Sequence, residues 1–199
     1  MSKNEWKKNP VHKILTDNGL WDFKYGEIES VLDVACGLAL KSKFLVPTPK
    51  IIVGVDIYEP YLRKIEADIP YTVIKYDVRK IKDIFLPNSF DVVYAIDILE
   101  HLTRKESIEL VKQIKQIARK AVVIECPRGY IPQNIDIQGF GAHKYQTHRS
   151  GWDVQELEDM GFKCVVRPYR MKNIKRHHKI TVSPDIEVIT AIYKKGIEI

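Results

Sequence analysis

From Ser30 onward the chain repeats one rhythm, in which short β-branched runs alternate with amphipathic segments. The runs are Ser30–Ala35, Ile51–Asp56, Tyr71–Tyr76, Phe90–Ile96, Ala121–Cys126, Phe162–Arg167 and Glu187–Tyr193. Strand alternating with helix is buildable in few ways, chiefly a parallel sheet with helices on both faces. The first five runs are apolar enough for strands buried on both faces. Pro60 suits the first turn of a helix carrying Leu62, Ile65 and Ala67. Thr103 with Glu106 forms a capping box for a helix presenting Ile108, Val111, Ile114 and Ala118. Asp153 with Glu156 starts another helix, which Gly161 stops. No helix-like segment separates the last two runs, so they should form a hairpin that adds one antiparallel strand. The expected fold is α/β: a doubly wound, mostly parallel seven-stranded sheet with a C-terminal antiparallel strand.

At 199 residues the chain fits a single domain, 1–199, with a substantial core. Residues 1–29 read as an N-terminal helical extension and 127–152 as a lid or substrate loop. The loop is longer than the ~15 residues usual for structureless connections. It carries Tyr130, Phe140, His143, Tyr145, His148 and Trp152, too aromatic a set for a plain linker. No apolar run reaches the ~20 residues of a membrane span, and the basic start leads into no apolar signal core. Three scattered cysteines exclude a disulfide framework and offer no CxxC pair. The expected location is the cytoplasm. The net charge of +6 is carried by one stretch. Arg167, Arg170, Lys172, Lys175, Arg176 and Lys179 fall in thirteen residues without an acid, and the remainder balances. That places an anion-facing surface beyond the sixth strand.

Ligands of open α/β sheets bind beyond the carboxyl ends of the parallel strands. The first strand runs into Asp33-Val34-Ala35-Cys36-Gly37-Leu38-Ala39, a small-residue turn that lets a ligand approach backbone. The second ends in Asp56, a carboxylate able to accept two hydrogen bonds from a ribose diol. These two features alone suit any adenosine ligand.

The ordered set VLDVACGLA, VGVDIYEPYL, YDVRKI, FDVVYAIDILEHL and VVIECP resembles the successive motifs of class I S-adenosylmethionine-dependent methyltransferases, over about residues 30–130. Asp33, two residues before the turn, separates this pattern from nucleotide-dehydrogenase fingerprints. The resemblance implies S-adenosylmethionine as cofactor and methyl transfer as the activity. It places Asp33, Ala35 and Gly37 at the methionine part, Asp56 at the ribose hydroxyls, and Ile57 on the adenine. Asp77 would meet the adenine amino group with Val78 presenting backbone, while Ala95, Ile96 and Asp97 would line the donor-methyl side. The family prefers glycine where this chain has Ala35 and Ala39. Alanine fits if those positions need smallness rather than a left-handed backbone, which costs a side chain ~1–2 kcal/mol.

A sulfonium is already an activated donor, so alignment does most of the work and a base is optional. His148 and His101 are the candidate bases. His143, Tyr145, Arg170, Lys172 and Arg176 would form the substrate rim. No metal site is expected, since His143 and His148 lack a matching Cys or acid cluster. Cys126 reads as a buried structural thiol. A small-molecule acceptor is preferred because no nucleic-acid module is recognisable. RNA is the alternative, on account of the basic stretch. A nucleotide-dependent oxidoreductase and a non-catalytic cofactor-binding protein stay open as other classes.

Overall fold

A computed structural model describes residues 10–24, 26–40, 49–65, 71–168 and 186–196. Seven strands form one sheet in the order β3-β2-β1-β4-β5-β7-β6. They are β1 (Ser30–Val34), β2 (Ile51–Asp56), β3 (Tyr71–Lys75), β4 (Phe90–Ile96), β5 (Ala118–Pro127), β6 (Lys163–Pro168) and β7 (Glu187–Lys194). β1 to β5 pair in parallel, and β7 runs antiparallel to both β5 and β6. The expected doubly wound sheet and its single antiparallel strand are therefore present. The strand order reverses between β1 and β4, which makes the crevice there the natural ligand position.

Helix α1 (Pro10–Asp17) covers one face with Val11 and Leu15, which pack with Trp21 against Val31, Tyr94 and Val123. On the other face lie α3 (Arg104–Ile117), α5 (Val154–Glu158) and the 3₁₀ segments Val78–Asp83 and Leu99–His101. The short α2 (Glu59–Leu62) and α4 (His143–Gln146) border the carboxyl ends of the strands. Both expected capping boxes form, Thr103 with Glu106 and Asp153 with Glu156, and each cap contributes about 1 kcal/mol.

Several boundaries differ from the sequence reading. The buried side of α3 is Leu110, Val111, Ile114 and Ile117, with Ile108 only half-buried. Ala118 is extended (ψ 137°) and opens β5 opposite Phe90, three residues before the expected start. The helix after Pro60 ends at Leu62, and Ala67 lies outside the described residues. β3 is not buried on both faces: it is an edge strand, with Thr72, Val73 and Lys75 exposed.

Candidate active site at the carboxyl ends of the strands

The loop after β1 has an alternating backbone, with φ of +57° at Ala35, +52° at Gly37 and +55° at Ala39. The condition under which alanine was expected to fit, smallness without a left-handed backbone, is not met at either position. Backbone that alternates in hand over successive residues turns its N–H groups into a concave surface. The loop is pinned from β2. Asp56 accepts from the Gly37 N–H at 2.9 Å and from the Tyr58 N–H at 2.8 Å. Its carboxylate is 7% exposed. Burial raises its pKa, against the lowering effect of hydrogen bonds from the Tyr58, Gly37 and Ile57 backbone. A carboxylate has about four acceptor positions, so capacity for a diol remains.

Asp33 lies below this loop rather than on its rim. It is 3% exposed and accepts from the Tyr71 hydroxyl at 2.6 Å. Gly54 makes that possible. A Cβ there would stand 2.6 Å from the Tyr71 ring and 2.8 Å from Cys36 Sγ. Sequence reasoning passed over Tyr71; its signal was an aromatic on β3 paired with a strand that carries a glycine in its middle.

Asp77 follows β3 and caps the 3₁₀ segment Val78–Asp83, accepting from the Arg79 N–H at 3.0 Å. The Arg79 guanidinium grips both its oxygens and holds its pKa below the usual carboxylate range. Arg79 also reaches Glu106, tying the end of β3 to α3. Val78 is buried, and Ile57 is half-buried beside Asp56. At the end of β4, Ala95 is fully buried, whereas Asp97 is exposed with φ +52°. Aspartate tolerates that conformation better than most residues, and strain of this kind concentrates at functional sites.

The opposite wall is the 128–152 loop. Its base is fixed: Gly129 N–H donates to Trp152 O at 2.7 Å, and Arg104 stacks on the Trp152 ring at 3.7 Å while donating to Gly151 O. Its tip folds around Asp136, which accepts from the N–H groups of Gln138, Phe140 and Ala142 and from the Tyr61 hydroxyl. Tyr58 donates to Phe140 O and packs on Tyr145. The tip thus rests on α2 and its flank, directly after Asp56. His143 Nδ1 accepts from the Asp136 N–H at 3.0 Å, so it shapes this tip. Tyr145 is 37% exposed. Arg170, Lys172 and Arg176 lie outside the described residues.

His101 and His148, the two candidate bases, meet edge to face with ring centroids 4.8 Å apart. Burial, and then the neighbouring His148, push His101 down to about 4. Burial lowers His148 as well. The acid missing from the sequence reading is Glu100, 2% exposed, which joins both histidines in a cluster whose ligand atoms all lie within 4.8 Å of one another. Glu100 stood in the DILEHL run, but its meeting with a residue 48 positions later had no local signature. Cys126 is fully buried and its thiol is pushed well up by burial, which suits the structural role expected of it.

A family model described as a methyltransferase domain matches residues 31–121. Among curated proteins, none matches the sequence. Solved structures resemble the chain over nearly its full length. A SAM-dependent methyltransferase from Archaeoglobus fulgidus is 20% identical with a TM-score of 0.57, covering 95% of this chain and 97% of that one. A Bacillus halodurans structure assigned as a methyltransferase is 16% identical with a TM-score of 0.61, covering 94% and 98%. Magnesium protoporphyrin IX methyltransferase of Synechocystis, solved with SAM bound, is 15% identical with a TM-score of 0.55, covering 96% and 80%. At these identities the likeness is one of fold, the fold of class I S-adenosylmethionine-dependent methyltransferases.

Proposed function

We propose that this chain, folded as a class I methyltransferase, transfers a methyl group from S-adenosylmethionine and releases S-adenosylhomocysteine. The observation that carries the reading is the left-handed loop 35–39 closed onto Asp56 at the point where strand order reverses. Such a loop brings backbone close to a ligand, and the carboxylate beside it suits a ribose diol. Asp56 holds the ribose hydroxyls and Ile57 packs on the adenine. Ala35 and Gly37 present backbone to the methionine part, with Asp33 supporting that loop from below through Tyr71. Asp77 and Val78 border the adenine, and Ala95 and Asp97 flank the donor methyl. Residues 127–152 form a lid over a single domain, with His143 and Tyr145 on its inner rim. Because the donor is charged and activated, the protein's task is alignment and exclusion of water.

The acceptor is a small molecule in this reading. The solved neighbours include a methyltransferase of magnesium protoporphyrin IX, and the lid's aromatic side chains suit an organic acceptor better than a phosphate backbone. RNA is the second reading, favoured by the concentration of the charge excess in residues 167–179. Calorimetry with S-adenosylhomocysteine and with NAD tests the cofactor: binding of NAD but not S-adenosylhomocysteine would point to an oxidoreductase. RNA binding measured from low to moderate salt tests the acceptor. A steep fall with salt, flattened by neutralising Arg170, Lys172, Lys175 and Arg176 together, supports RNA. No binding even at low salt removes it.

A further inference from the structure

The imidazole pair beside the mouth has a chemistry that methyl transfer by alignment leaves unused. Glu100 and His101 end the turn after β4, and His148 reaches them from the base of the 128–152 loop. His148 places Nδ1 2.5 Å from the Ile131 carbonyl. A carbonyl only accepts, so the proton sits on Nδ1 and the Nε2 lone pair is left to face elsewhere. His101 repeats the arrangement in mirror form. Its ring is hydrogen-bonded to the backbone of Gln146 and Thr147, while its Nδ1 is buried without a hydrogen-bond partner. The bonded nitrogen is therefore Nε2, and a lone pair on Nδ1 is left in the interior. A buried acceptor without a donor loses its water and gains nothing in exchange. Two rings, each anchored through one N–H to a main-chain carbonyl with the other nitrogen bare, have the outer-shell pattern of metal-binding histidines.

We propose that Glu100, His101 and His148 form a binding site for a divalent transition-metal ion at the acceptor side of the cleft. Two imidazoles and one carboxylate are a donor set suited to zinc and its neighbours, and three protein ligands leave a position open for substrate or water. Ligand atoms about 2.1 Å from a tetrahedral ion stand about 3.4 Å apart. The present spread of up to 4.8 Å closes onto an ion by side-chain adjustment alone. Asp97, exposed at the end of β4, lies three residues before Glu100.

The role of the ion rests on the methyltransferase reading; its binding does not. At this position it would coordinate a hydroxyl-bearing acceptor and lower the pKa of the bound hydroxyl. The O–H proton leaves to solvent, the oxygen attacks the methyl carbon, the carbon–oxygen bond forms, and the carbon–sulfur bond breaks with its electron pair returning to sulfur. Acceptors of the hydroxyl class are thereby favoured over amines, which attack as free bases.

Calorimetry of the metal-free protein with Zn²⁺ and with Mn²⁺, without cofactor, tests the site. The expected result is one saturable ion per chain. Both His148→Ala and Glu100→Gln should weaken it by more than the ~10-fold typical of losing an outer-shell partner. S-adenosylhomocysteine affinity, measured on the same samples, should stay within about twofold. Circular dichroism identifies a variant that fails to fold, and the near-isosteric Glu100→Gln keeps the test alive if His148→Ala does. Absence of a saturable ion in the wild type overturns the site, as does undiminished affinity in folded Glu100→Gln. Ion binding without S-adenosylhomocysteine binding would retain the site and refute the methyltransferase reading.

Discussion

The two halves of the cleft solve the problem of buried polar groups differently. In the half built by β1, β2 and β3, carboxylates are matched to donors from the protein itself: Asp33 to Tyr71, Asp56 to Gly37 and Tyr58, Asp77 to Arg79. In the half built by the end of β4 and the 128–152 loop, buried imidazoles are oriented by carbonyls and keep a lone pair bare. The first half is a finished cradle, with leftover acceptor capacity for the proposed ligand. The second is preorganised toward something that accepts electron pairs, and a low-dielectric site magnifies both arrangements.

The largest effect should come from the cradle's centre. Asp56→Ala removes the acceptor proposed for two ribose hydroxyls, and hydrogen bonds to a charged group are worth ~1.5–3 kcal/mol each. It also releases Gly37 and Tyr58. Affinity for S-adenosylhomocysteine, read by calorimetry, should fall at least about tenfold with the fold intact. Unchanged affinity would move the ribose elsewhere and end the contrast between the halves.

Asp136 tests the opposite wall. Burial raises its pKa, but the Tyr61 hydroxyl and the N–H groups of Ala142, Gln138 and Phe140 outweigh that and hold it below the usual carboxylate range. A depressed folded pKa means stability that is present above about pH 4 and lost as pH falls through the folded value. Asp136→Ala should therefore loosen the loop tip at neutral pH, while acid loosens it only in the wild type. Limited proteolysis should cut the variant within 132–146 roughly tenfold faster, as expected when a charge-assisted hydrogen bond of ~1.5 kcal/mol is lost. In the wild type, cofactor and acceptor together should slow that cleavage. Equal rates with and without ligands would make the segment a static wall rather than a lid.

The contrast also explains what the sequence revealed. The cradle is written locally: Asp33 and Gly37 are four residues apart, and Asp56 follows at the next strand end, so strand periodicity located them. The sheet was equally readable, because seven β-branched runs separated by helix caps admit few topologies. What periodicity missed lay at edges and in long-range meetings. β3 carries an apolar run yet lies at the sheet edge, since strand order is not encoded in any strand. Glu100 and His148 meet because the loop base is fastened to the turn after β4, with the Arg149 and Ser150 N–H groups donating to Glu100 O and the Ser150 hydroxyl to Leu99 O. The left-handed backbone at Ala35 and Ala39 had no signal in the residue types, because glycine rather than alanine ordinarily marks it.

Tyr71→Phe should have a smaller effect. It deletes one donor to buried Asp33 and leaves the ring against Gly54. A loss of about 1–2 kcal/mol in stability is expected, read by urea denaturation with unchanged slope. S-adenosylhomocysteine affinity should weaken in the same direction, since Asp33 supports the loop from beneath. A stability change within error would show that Asp33 draws its support from other neighbours.

The smallest effect separates two alanines of the same hand. Both Ala35 and Ala39 bear the ~1–2 kcal/mol cost of a side chain in the left-handed region. Glycine relieves it but adds unfolded-state entropy worth about 0.4–1 kcal/mol. Ala35 is only half-buried, so Ala35→Gly should come out stabilising by roughly 0.5–1 kcal/mol, a rise in melting temperature of about 1–4 °C for a chain of this size. Ala39 is 2% exposed, and its methyl group contributes about 0.8 kcal/mol of burial that glycine forfeits. Ala39→Gly should therefore be close to neutral. Neither change touches the histidine cluster, so any shift belongs to the cradle alone. Thermal melts of the two variants side by side make the check. A destabilised Ala35→Gly would mean that the alternating backbone is held so firmly by Asp56 and its neighbours that rigidity of the loop outweighs its strain.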